Sequence, residues 1–64
     1  MKTDQWTKFN DLYFKSNELK LELEALVNSG KVGKLEMRDV RHLNSLACEV
    51  KELSSSLYFC VKEE

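Results

Sequence analysis

Asn28-Ser29-Gly30-Lys31-Val32-Gly33-Lys34 holds the only two glycines of a chain that has no proline. Glycine enters left-handed backbone at little cost, so a segment like this is where a helix stops. On either side of it, apolar residues recur at helical spacing. Before it stand Phe9, Leu12, Ser16, Leu19, Leu23 and Leu26; after it stand Leu43, Leu46, Val50, Leu53, Leu57 and Cys60. Both series alternate steps of three and four, which lays each along one stripe of a helix. The fold class read from this pattern is all-α, an antiparallel two-helix hairpin. A first helix is expected over about 3–28, a turn over 29–34 and a second helix over about 35–62, in a single domain spanning 1–64.

The ends of the helices carry weaker signals. Thr3 suits an N-cap, and Asp4 sits in the first turn, where the helix dipole favours an acid. Asp4 with Lys8, and Asp11 with Lys15, are four apart in the favourable acid-then-base order. Gly30 suits the left-handed position after the last turn. The second helix has a poorer start, with Gly33 as a weak cap and Glu36 in partial compensation. Ser54-Ser55-Ser56 is a run of mediocre helix formers, and Leu57 to Val61 would suit a strand by propensity. The three-four period continues through the serines, so the helix is expected to continue with it.

The two helices match in length, so each covers the other. With the turn centred near Val32, Phe9 faces Ser54, Ser16 faces Ala47 and Leu23 faces Val40. Large residues then meet small ones, with Ser16 and Ala47 forming a close layer between the helices.

Sixty-four residues bury a modest core and need reinforcement. Cys48 and Cys60 both fall on the second helix, roughly 18 Å apart along its axis. A disulfide needs Cα atoms within about 7 Å, so these two cannot join each other there. Two cysteines and one histidine without close spacing make a poor metal site, and no metal or cofactor is expected. By elimination the reinforcement is a second copy, in a homodimeric four-helix bundle. Unpaired cysteines, no secretory leader and no long apolar run point to the cytoplasm and away from the membrane. The net charge of −1 gives no general pull toward nucleic acid or anionic lipid.

Catalysis is not expected. His42, with Cys48 or Glu49, lacks an orienting third group, and a short hairpin offers little room for a pocket. The Gly30-Lys31-Val32-Gly33-Lys34 segment lacks the spacing, hydroxyl residue and preceding strand of a phosphate loop. A tight helix connection accounts for its glycines.

Three features are left for partners. Phe14 and Leu21 are seven apart and project from the side of the first helix opposite the Phe9–Leu26 stripe, where a lone hairpin leaves them exposed. Asn10 and Asn17 flank them with hydrogen-bonding groups. Self-association and a heterologous partner both fit this stripe. The second feature is a basic cluster, Lys31, Lys34, Arg38 and Arg41 with His42; Lys34, Arg38 and Arg41 are expected to share a helical face. Positive charge at a helix start opposes the dipole. It reads either as a contact for phosphate or an acidic surface, or as balance for Glu18, Glu22 and Glu24 across the hairpin. The third is an aromatic end, where Trp6, Phe9 and Tyr13 meet Tyr58 and Phe59.

The layout resembles the plasmid Rop (Rom) type of RNA-binding hairpin. Asn10 and Phe14 fall where that family has its RNA-contacting asparagine and aromatic, and Leu23, Glu24 and Leu26 also coincide. The resemblance implies an antiparallel homodimeric bundle that binds paired RNA hairpins through its first helices. Two departures weaken the RNA part: Glu18 replaces an amide, and Ala25 replaces a lysine.

The function expected is a small non-catalytic regulator or adaptor that acts on another protein through a helical face, as a homo-oligomer. RNA binding by the first-helix faces of a dimer is the alternative. A structural subunit of a larger assembly is the third reading.

Overall fold

The computed structural model describes residues 2–63, with side chains from Asp4 onward. Helix α1 spans Lys2–Asn28 and helix α2 spans Met37–Lys62, and the two pack against each other as a hairpin. No strand occurs among the described residues. The molecule is a rod, 46 × 17 × 12 Å across its Cα atoms. No helix of the described residues is long and apolar enough to cross a membrane.

Helix α1 ends as its glycine requires. Gly30 has φ of +73°, and a pair of backbone bonds closes the turn. Its N–H donates to the Val27 carbonyl at 3.1 Å, and the Lys31 N–H donates to the Leu26 carbonyl at 3.1 Å. This is the Schellman pattern, which satisfies carbonyls the helix leaves open. Thr3, expected as the N-cap, lies inside α1, which already runs from Lys2, so it does not cap the helix.

The start of α2 differs from expectation. Val32–Lys34 forms a short 3-10 turn, Leu35 and Glu36 are extended, and the helix begins at Met37 rather than near 35. The cap is therefore Glu36, not Gly33. The Glu36 N–H donates to the Asp39 carboxylate at 3.1 Å, which gives an orphan donor a partner and puts an acid at the positive end of the dipole. Lys34 lies in the 3-10 turn, so it does not share a face of α2 with Arg38 and Arg41 as expected. Ser54, Ser55 and Ser56 are helical, and the strand alternative for Leu57 to Val61 does not arise.

The α2 seam is the one read from the sequence. Leu46 is buried, and Leu43, Val50, Leu53, Leu57 and Cys60 are half-buried. The α1 seam is rotated. Leu12, Leu19 and Leu26 face α2 as expected, but the positions that complete the stripe are Lys8, Lys15 and Glu22. Phe9 and Leu23, expected inside, are 49% and 46% exposed. Ser16 is half-buried while Ala47 and Ser54 are exposed, so the expected close layer lies open on one side of the hairpin.

Candidate functional site

Rotation of α1 gives the seam two unlike edges. One edge is polar. The Lys8 Nζ donates to Ser56 Oγ at 2.9 Å, Lys15 Nζ lies 3.4 Å from a Glu49 carboxylate oxygen, and His42 Nε2 lies 3.7 Å from Glu22 Oε1. These pairs step by one heptad along each helix, and they fix a register within one residue of that expected. Lys15 also reaches Glu18 at 3.5 Å within its own helix. Desolvation of the Lys15 ammonium works against its charge, but Glu18 and Glu49 outweigh it and hold its pKa above the ordinary lysine value. Lys8 and Lys15 thus reach across to α2; the expected i, i+4 pairing of Lys15 with Asp11 is replaced by Glu18 and Glu49.

The other edge is apolar and open. On α1 it carries Trp6, Phe9, Tyr13, Ser16, Lys20, Leu23 and Val27, in steps of three and four. On α2 the matching positions are Val40, Leu43, Ala47, Val50, Ser54, Leu57 and Val61. Both sets flank the seam on the same side. At the open end this is visible directly, where Gln5, Trp6, Phe9, Leu57 and Val61 line a cleft of about 480 Å³. Trp6 stacks on Phe9 with ring centroids 6.1 Å apart and planes 10° apart, yet remains 66% exposed. Farther along, Leu23 and Val27 border a depression near the turn.

The outer side of α1 holds the residues singled out for a partner. Phe14 is 68% exposed and Leu21 is 55% exposed. Asn10 and Asn17 are exposed beside them, at i, i+4 spacing to Phe14 and Leu21 respectively. Tyr13 lies against Phe14, ring centroids 5.8 Å apart, and so bridges the outer stripe and the open face. Asp11, Glu18 and Glu24 border the stripe.

The basic cluster is spread out rather than gathered. Lys31, Lys34, Arg38 and Arg41 are all exposed. Arg38 is held by Glu36 at 3.1 Å. Among the described residues, the one pairing of this region with an acid of α1 is His42 with Glu22. At the opposite end, Tyr58 and Phe59 meet edge to face at 5.2 Å, and the Lys62 ammonium sits 5.9 Å from the Tyr58 ring.

Sequence reading missed the polar ladder and, with it, the open face. The signal was present: Lys8, Lys15 and Glu22 step by seven, as do His42, Glu49 and Ser56. No group of three or more metal-ligating side chains comes together among the described residues. No protein-family model, curated protein or solved structure matches the chain.

Proposed function

We propose that this chain is a small non-catalytic regulator or adaptor, that it works as a homodimeric four-helix bundle, and that it presents the outer stripe of α1 to a protein partner. The observation that carries this is the two-sidedness of α1. Its apolar side chains stand on the open face and also on the outer stripe, while between Val40 and Leu57 the large apolar residues of α2 keep to one side. A helix with apolar stripes on two sides is normally covered on both. One association covers the open face, and Phe14 and Leu21 remain for a second one. Exposed aromatic and leucine side chains at i, i+7 are anchors of the kind that a partner helix or groove receives. The acids around the stripe favour a basic amphipathic segment as the partner. They also set the stripe against RNA, because Asp11, Glu18 and Glu24 repel phosphate. The two free thiols suit a reducing, cytosolic setting.

The test is capture from the source cells by the intact chain and by the double variant Phe14→Ala, Leu21→Ala. Loss of an aromatic anchor and its neighbour costs about 2 kcal/mol or more, roughly a 30-fold weaker complex. Capture by the double variant equal to that of the parent chain removes this reading. A gel-shift titration at low and high salt addresses the RNA alternative, which demands binding at low salt that fades as salt rises. An open-ended oligomer in sedimentation would instead support a structural subunit.

A further inference from the structure

We propose that the tip of the hairpin, from Lys31 to Arg41, docks on the surface of an anionic lipid bilayer, with its aliphatic side chains in the headgroup layer and its cations on lipid phosphate. The contact uses neither the outer stripe nor the pairing of two hairpins, so it goes beyond the reading above and is tested apart from it.

The make-up of the tip is the first argument. Val32, Leu35 and Met37 are 58%, 41% and 65% exposed, and no residue of the 3-10 turn is buried. Among them stand Lys31, Lys34, Arg38 and Arg41, all exposed. The acids of the segment are Glu36 and Asp39. Both are engaged locally: Asp39 accepts the Glu36 N–H, and Glu36 takes the Arg38 guanidinium. An excess of two bases therefore gathers at one end of a chain whose net charge is −1. Interfacial binding adds burial of apolar side chains to attraction between cations and anionic headgroups, and this segment interleaves the two. Arg38 and Arg41 also stand near the start of α2, where the dipole opposes them. Among the described residues, no acid of α1 pairs with either arginine, and lipid phosphate supplies the missing counter-charge.

The backbone gives a second argument. Gly30 is required by its φ of +73°. Gly33 does not take positive φ, and a Cβ placed there meets nothing within 4 Å. The hairpin itself has no need of glycine at 33. What glycine does there is leave bare backbone at the tip, where a flat surface can come close.

The chemistry selects a bilayer over other anionic surfaces. Single-stranded RNA is gripped by stacking its bases on aromatic rings, and residues 31–41 include no aromatic. An acidic protein surface needs pockets shaped to three separate aliphatic side chains, whereas a fluid headgroup layer conforms to them. The tip is the narrow end of a rod 46 × 17 × 12 Å, so the contact is peripheral, in keeping with helices that do not cross a membrane. Cytoplasmic leaflets carry anionic lipid, which suits the cytosolic setting proposed above.

Co-sedimentation of the purified full chain with vesicles tests this. Vesicles of about three parts phosphatidylcholine to one part phosphatidylserine are expected to bring the chain down at low salt, and phosphatidylcholine alone is not. Binding is expected to fade as salt rises and screens the headgroups. Lys31→Gln with Lys34→Gln is expected to weaken it about tenfold or more. Val32→Gln with Leu35→Gln is expected to weaken it about threefold or more. All four positions are exposed, so both variants are expected to keep the parent's circular dichroism. Should the Val32, Leu35 pair lose it, Met37→Gln repeats the test with a good helix former. Trp6 is the single tryptophan and lies at the far end of the rod. In a Trp6→Phe background, Val32→Trp puts the reporter on the tip, and its emission is expected to shift to the blue on the mixed vesicles. Trp6 of the parent chain is expected to stay unshifted. No binding, equal binding to both kinds of vesicle, or binding that ignores the lysine pair overturns the proposal. So does a blue shift of Trp6 without one at the tip. An RNA hairpin bound more tightly than the vesicles, and lost with the same lysines, overturns it by giving the cations to RNA. None of these results bears on capture through Phe14 and Leu21, so failure here is distinct from failure of the regulator reading.

Discussion

Along one edge of the seam, Lys8, Lys15 and Glu22 reach across to Ser56, Glu49 and His42; along the other, Phe9, Ser16 and Leu23 run beside Val40, Ala47 and Ser54. Both edges use the same heptad step, so the difference between them is chemical. Each pair of the ladder meets its partner at one height, and a slip by one heptad sets Glu22 beside Glu49 or Lys15 beside His42. The ladder therefore contributes register, and its polar heads discourage another apolar surface from approaching on that side. The open edge has no such selectivity within the hairpin. Its side chains are half-covered, and a helix pair offers them nothing more to touch. One edge makes the hairpin specific, and the other leaves it incomplete.

The largest expected effect lies between the edges. Leu46 is buried in the seam that both share. Leu46→Ala is expected to cost about 2–5 kcal/mol, comparable with the whole stability of a domain this small. Urea titration followed by circular dichroism checks it. The expected outcome is loss of helicity as one transition, since neither edge can hold the helices together alone.

Phe9→Ala on the open edge comes next, and it separates the edges because its cost depends on concentration. In the lone hairpin Phe9 is half-exposed, and truncation is expected to cost about 1 kcal/mol or less. At concentrations where the second copy covers the face, the cost rises toward the 3 kcal/mol range of a buried phenylalanine. Thermal melts of parent and variant at low and high concentration give the comparison. Equal costs at both concentrations would show that Phe9 is never covered.

The same contrast explains what could be read in the sequence. Between Val40 and Leu57 helix α2 keeps its large apolar residues on one side, so Leu43 through Cys60 named its seam directly, with Tyr58 and Phe59 standing away from it. The left-handed turn at Gly30 was equally plain, because few residues besides glycine take φ of +73°. Helix α1 was ambiguous: Phe9, Ser16 and Leu23 stand on one side of Leu12, Leu19 and Leu26, and Lys8, Lys15 and Glu22 stand on the other. Apolar residues are ordinarily assigned to the inside, and that choice put Phe9 and Leu23 within the hairpin. The lysines take the place instead because their long stems lie along the seam while their charged heads reach partners on α2. Pattern alone ranks residues by type, and it does not see that a charged residue with a cross-helix partner competes for the same position. The start of α2 escaped for a related reason. Its cap is a glutamate answered by Asp39, outside the usual serine, threonine, asparagine and aspartate set. The outer stripe of Phe14 and Leu21 was legible, since no rotation of α1 that keeps Leu12, Leu19 and Leu26 inside can cover it.

The smallest effect tests the ladder itself. Lys15→Met keeps most of the stem and removes the charge, so it separates packing from pairing. The folded-state pKa of Lys15 is raised, its desolvation being outweighed by Glu18 and Glu49. A raised pKa means that the stabilisation is fully present below the unfolded lysine value and is lost as pH climbs through the folded one. The stability difference between parent and Lys15→Met is therefore expected to be small and flat through neutral pH, and to shrink only at alkaline pH. Added salt is expected to reduce it as well, because the site is open to solvent and screening reaches it. Urea titrations of both chains across pH and at two salt concentrations measure this, and the other lysines and tyrosines cancel in the difference. A difference unmoved by either pH or salt would mean that Lys15 acts through its stem alone. Register would then rest on the leucines, and the two edges would differ in what they exclude rather than in what they hold.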